Sequence, residues 1–179
     1  MIDSKKSFFE EFKPTIWFLG KFIGFYFIGS LLYGVYITSY EPEADPVTNV
    51  VTRHSSWVLN ILGWHSIALN YEGKPTTALE YHGRGIVSVY EGCNGLNVMI
   101  VFLSFIVAFG PVNKKAAWFA PVSLAIIYIT NLARIVFLFF VVLYFPRYTY
   151  YLHKYFFTAF IYLVVLLLWL WWVKKYGKK

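Results

Sequence analysis

The sequence predicts an all-α polytopic membrane protein, in which four transmembrane helices carry a small outward-facing helix and β-hairpin subdomain. Two observations about composition and one about charge predict it. The chain of 179 residues is 59% hydrophobic and only 14% charged, where a soluble domain carries roughly 25% charged residues. Its apolar residues collect in runs close to the length of about 20 residues that a helix needs to cross a bilayer. Its lysines stand beside those runs rather than being spread through the chain.

Taken in order, the first span is expected at residues 15–39. Its apolar core at 22–39 follows Lys21, whose long stem reaches the interface. The run is too long for the core of a signal peptide. No small-x-small site follows it in Thr38-Ser39-Tyr40-Glu41-Pro42, so an uncleaved helix is expected. Residues 40–92 form the outward subdomain, too short for an independent core. Within it, Trp57, Val58, Ile61, Leu62 and Leu69 recur at helical spacing, which predicts an amphipathic helix over 55–69 lying in the interface. Residues 77–81 and 86–90, rich in β-branched and aromatic side chains, flank His82-Gly83-Arg84-Gly85 and predict a hairpin. The second span is expected at 94–112 and the third at 116–145, interrupted by Asn131 and Arg134. The fourth is expected at 156–173 and closes with Trp169, Trp171 and Trp172. The whole of 1–179 reads as a single membrane domain.

The loops then orient the chain. Lys5, Lys6, Lys13 and Lys21 precede the apolar core of the first span, Lys114 and Lys115 join the second to the third, and Lys174, Lys175, Lys178 and Lys179 end the chain. With four spans these all fall on one side. The other side receives Glu41, Glu43, Asp45, Glu72, Glu80 and Glu91, together with the short loop around 147–154. The positive-inside rule makes both termini cytoplasmic. A net charge of +7 is thus accounted for by membrane anchors. No basic stripe or aromatic platform stands in a soluble segment, which excludes nucleic acid as a partner.

Cys93 is the only cysteine, so no internal disulfide can form. It directly precedes the second span, where the first turn of a helix presents free amides and the positive end of the dipole. Both favour a thiolate. Gly92 and Gly95 leave room for a substrate backbone. Asn97 should fall one turn below Cys93 on the same face, and Glu91 is placed either to orient His153 or simply to be solvated. Arg134 lies in an apolar run, at a cost of about 2.5 to 3.5 kcal/mol at mid-helix, so it should face protein or a watery cavity. It is 19 residues from Lys115, or about 28 Å of helix, which puts it near the outer leaflet. Asn131 shares its helical face. His153 precedes the fourth span at the same membrane face. Thiol, imidazole and guanidinium from separate spans make an activated nucleophile, its proton carrier and an oxyanion partner. His54, His65 and His82 match no ligand spacing, so no metal or cofactor is expected.

Glu91-Gly92-Cys93-Asn94-Gly95, Asn131-Leu132-Ala133-Arg134 and His153, in this order, resemble the exosortase/archaeosortase superfamily of membrane cysteine transpeptidases. The likeness is strongest to the short exosortase F type of Bacteroidetes. The resemblance runs over about 87–173. It implies Cys93 as nucleophile, Arg134 as stabiliser of an oxyanion or substrate carboxylate, and His153 as general acid/base. It implies a bacterial inner-membrane enzyme, its active site facing the periplasm. Such enzymes cleave C-terminal sorting tails (short motif, transmembrane helix, basic cluster) from exported proteins through a thioacyl-enzyme. A second small membrane protein is the implied partner, since long exosortases have more spans. Asn94 stands where many relatives carry Ser or Ala. The residues alone also fit a non-catalytic membrane subunit or assembly factor of an export complex, in which polar side chains only join helices. A transporter fits less well, for want of an internal repeat.

Overall fold

The computed structural model describes residues 8–110 and 114–176. Lys5, Lys6, Lys178, Lys179 and the end of the second predicted span at Val112 lie outside them. The chain enters through α1 (Phe8–Thr38), whose 31 residues extend for about 46 Å. Large apolar side chains on it stay open, with Leu32 67% and Val35 70% exposed, as lipid-facing positions do. One stripe of α1 packs along α3 (Leu96–Phe109). Gly29 makes that approach possible, since a Cβ there would stand 2.7 Å from Cγ2 of Ile100. Phe18 and Phe22 complete the contact, edge-on to Phe105 at 5.5 and 6.4 Å.

Three helical stretches, Phe12–Thr38, Lys114–Tyr144 and Pro146–Lys175, are long and apolar enough to cross a membrane. The helix α3 is as apolar but has 14 residues, about 21 Å, against a hydrocarbon core of about 30 Å. It is shorter than the predicted 94–112 because the chain before it makes a 3-10 turn (Glu91–Cys93) and a left-handed step at Gly95, φ +89°. Gly110 stops it at the other end. α3 lies against α1, α4 (Lys114–Tyr144) and α6 (Thr158–Tyr176). Phe102, Ile127, Ile161 and Val165 form their shared core.

The segment between α1 and α3 folds differently from the predicted amphipathic helix over 55–69. Its helix, α2, spans Pro46–Ile61. Asp45 caps it by accepting from the amides of Val47 (2.9 Å) and Thr48 (3.1 Å), and Pro46 supplies a pre-set φ at the first position. The helix ends where Gly63 turns left-handed at φ +85°. Leu69 consequently lies not on a helix but in β1 (Ser66–Asn70). β1, β2 (Thr76–Tyr81) and β3 (Arg84–Tyr90) form an antiparallel sheet in sequential order, with β2 and β3 joined by His82-Gly83. Both turn residues have positive φ, 50° and 71°, the twist a two-residue hairpin needs. Val87 and Val89 of β3 and Val51 and Leu59 of α2 bury against Ile135 and Phe139 of α4. One helix therefore carries two cores. The N-terminal half of α4 serves the bundle, and its C-terminal half is the platform for the sheet.

After α4 the chain passes a 3-10 turn (Pro146–Tyr148) and one helical turn, α5 (Thr149–Tyr151). It then winds as π-helix through Leu152–Phe157 into α6. His153 thus lies within a continuous helical stretch, not ahead of one. Such π-turns are rare and are often found at functional sites.

Candidate functional site

The chain reaches Cys93 along β3. The 3-10 turn and Gly95 then swing it into α3, so Cys93 sits on the elbow rather than in the first α-turn. Asn94 pins that elbow. Its Oδ1 accepts from the amide of Leu96 (2.9 Å), and its Nδ2 donates to the hydroxyls of Tyr33 (3.1 Å) and Thr48 (3.2 Å). Tyr33 in turn donates to the Glu91 carbonyl at 2.8 Å. Helices α1 and α2 are thereby tied to the turn, which explains a fully buried Asn at this position.

From the other side α4 supplies Asn131 and Arg134, three residues apart on one face. Nδ2 of Asn131 donates to the carbonyl of Cys93 at 2.9 Å. A Cβ at Gly95 would sit 3.2 Å from the Asn131 amide carbon, so the left-handed φ and the close approach both call for glycine. One Arg134 Nη lies 4.0 Å from Cys93 Sγ. His153 Nε2 lies at the same distance, 4.0 Å, from that sulfur. The thiol, the guanidinium and the imidazole meet in a cavity of about 490 Å³, within the size range of ligand sites. It is lined by β3, by α4 and by residues between Pro146 and His153.

Cys93 is 6% exposed, and burial pushes its thiol up from the ordinary range, because a thiolate loses hydration there. Arg134 and the Tyr90 hydroxyl pull it back without cancelling the effect. The thiolate expected from helix position is therefore not favoured in the free protein. The elbow sets the sulfur ahead of the helix start in a buried position, where burial outweighs the neighbouring cation.

Two supporting residues are placed otherwise than their spacing suggested. Asn97 is exposed and lines no part of the Cys93 cavity, since the step at Gly95 rotates α3 away from the turn. Glu91 does not orient His153. The His153 Nδ1 is buried without a hydrogen-bond partner among the described residues, and Glu91 contributes its carbonyl to Tyr33. Tyr90 is the residue that sequence reasoning passed over. Its ring covers Gly92, where any Cβ would collide with it, and its hydroxyl hydrogen-bonds to Cys93. The nearby sulfur charge and burial push that hydroxyl up. In the sequence Tyr90 is one more aromatic at a strand end, with nothing to distinguish it. His54 lies apart, paired with Tyr128 at 2.6 Å.

Compared with known families, residues 14–172 match the family model described as transmembrane exosortase (Exosortase_EpsH). No curated protein and no solved structure gives a significant match.

Proposed function

Since the chain belongs to the transmembrane exosortase family, we propose that it is a membrane cysteine transpeptidase that removes C-terminal sorting tails from exported proteins, and that it is of the short F type. The observation that carries this reading is the position of one sulfur 4.0 Å from both an imidazole nitrogen and a guanidinium nitrogen. These three groups come from the turn before α3, from the π-turn and from α4.

His153 Nε2 takes the S–H proton, a need made greater by the burial that keeps the thiol neutral. Proton transfer requires a closer approach than the 4.0 Å seen without substrate, of the kind catalytic pairs make on substrate binding. The sulfur attacks the scissile carbonyl, and Arg134 faces the oxyanion that forms. His153 returns the proton to the leaving amine as the C–N bond breaks, leaving a thioester on Cys93. An acceptor nucleophile, or water, then attacks the thioester. It yields its proton through His153, and the thiol is restored. Asn131 holds the Cys93 carbonyl and so fixes the backbone that carries the sulfur.

We place α3 as the fourth span beside the three longer ones, with both termini cytoplasmic and Cys93 on the periplasmic side of a bacterial inner membrane. Acids in 40–92 and lysines at 114–115 support that orientation. A second small membrane protein is the partner of this reading. The test is Cys93→Ala at unchanged expression. Tail-bearing exported proteins should accumulate unprocessed, and mass spectrometry of wild-type membranes should find a thioester on Cys93. Normal processing in the variant overturns the reading.

A further inference from the structure

The Cys93 cavity has one wall unlike the others. Ile86, Val87, Ser88 and Val89, four consecutive residues of β3, all line it. Side chains of consecutive strand residues point to opposite faces. A cavity touched by all four runs along the edge of the strand, not over one face. That edge has no strand beside it among the described residues, because the sheet order is β1-β2-β3 and β3 pairs only with β2. Every second residue of β3 therefore turns its N–H and C=O away from β2, toward the slot. Thr149 and His153 also line the cavity. Unpaired backbone groups of β3 thus border the same cavity as Cys93.

We propose, resting on the transpeptidase reading, that the substrate enters this slot as an extended segment that adds to the free edge of β3 as a fourth strand. Main-chain hydrogen bonds supply the affinity of this mode, and alternate side chains supply selectivity. The wall residues Val87, Val89, Ile135 and Leu138 suit apolar side chains at every second substrate position. Direction follows from connectivity. β3 runs toward Cys93 and leads directly into α3. A tail whose membrane helix follows the scissile bond must run the same way, so the pairing is parallel. The residues preceding the scissile bond lie along 86–89, and its carbonyl lies at Cys93. The acyl half then stays paired to β3 after the tail has left, holding the thioester in place for the acceptor.

Cys93 is the only cysteine, so Cys93→Ala provides a cysteine-free background for disulfide trapping. Ser88 is exposed on the cavity wall, and Ser88→Cys adds one thiol there with little change of volume. The probe is an exported reporter ending in an extended segment, an apolar helix of about 20 residues and a lysine cluster. A single cysteine is walked through its extended segment, and membranes are oxidised mildly. Cross-links should form at alternate probe positions, all before the probe helix. Moving the receptor cysteine to Ile86 should shift the preferred position about two residues away from the probe helix. No cross-links, or equal cross-links at every position, overturn strand addition. A shift toward the probe helix overturns the parallel direction. The outcome is independent of catalysis. Normal tail processing in Cys93→Ala would refute the transpeptidase reading while the cross-link pattern still decided the docking mode.

Discussion

Gly95→Ala tests whether the elbow at Cys93 is held in the way the structure describes. Gly95 has φ +89°, a region that costs an L-residue roughly 1–2 kcal/mol. The new Cβ would also meet Cγ and Nδ2 of Asn131, each at 3.2 Å, so part of the cost is contact with one identified side chain. Overpacking of this kind costs roughly 1–3 kcal/mol where the neighbour cannot yield. Asn131 cannot yield freely, because it is fully buried and bonded to the Cys93 carbonyl at 2.9 Å. Asn131→Ala removes Cγ and Nδ2 and leaves only the Asn131 Cβ, at an ordinary 3.4 Å. It has its own cost, about 1–3 kcal/mol, because a buried carbonyl loses its donor. The double variant should therefore be more stable than the sum of the single variants by about 0.5–1 kcal/mol or more, the usual coupling of touching residues. Denaturant midpoints of the four proteins in detergent measure this. Additivity within about 0.3 kcal/mol would refute the account, since the cost of Gly95→Ala would then owe nothing to Asn131.

Two further predictions follow from named contacts. Alkylation of Cys93 by a membrane-impermeant maleimide should be slow near neutral pH and rise only above the ordinary thiol range. Burial raises this acid, and the reactive thiolate appears only as pH passes the raised value. Arg134→Gln and Tyr90→Phe each remove a group that favours the thiolate, so each should move the profile to still higher pH; a move downward contradicts the site geometry. Where α1 packs on the start of α3, Gly29→Leu should destabilise the protein by about 1–3 kcal/mol by wedging α1 off Ile100. Ile100→Ala should restore part of the loss, and thermal unfolding of both variants in detergent measures it.

The parts of this protein that were legible beforehand are those in which one residue breaks a simple rule. Arg134 in an apolar run, a single cysteine beside two glycines, and lysines gathered at run ends each stand out against a uniform background. Cys93, Arg134 and His153 now line one cavity. The parts that were misread depend on backbone turns, which rotate everything downstream of them. The helix over 55–69 was drawn from apolar spacing, while the stronger signals were Asp45-Pro46 at its start and Gly63 at its end. These set the helix at Pro46–Ile61 and freed Ser66–Asn70 for the sheet. Asn97 was assigned by extending helical periodicity back to Cys93, across a glycine whose left-handed φ breaks that periodicity. Tyr90 could not have been found at all, since its role arises from a ring folded over Gly92.

The same elbow accounts for the disagreement over the thiol. Had α3 begun at Cys93, helix amides and the dipole would have stabilised a thiolate in partial contact with water. The 3-10 turn instead inserts the sulfur beneath Tyr90 and between β3 and α4, where burial disfavours the thiolate. In the proposed mechanism a thiol in this form needs a base brought to it. The base of the proposed mechanism, His153, lies within the π-turn, with Nε2 4.0 Å from the sulfur. On the strand-addition proposal, substrate beside β3 shields the site from solvent and strengthens every charge interaction there. On that proposal, reactivity of Cys93 depends on occupation of the strand edge, and the chain that lies along 86–89 is the one presented to the sulfur.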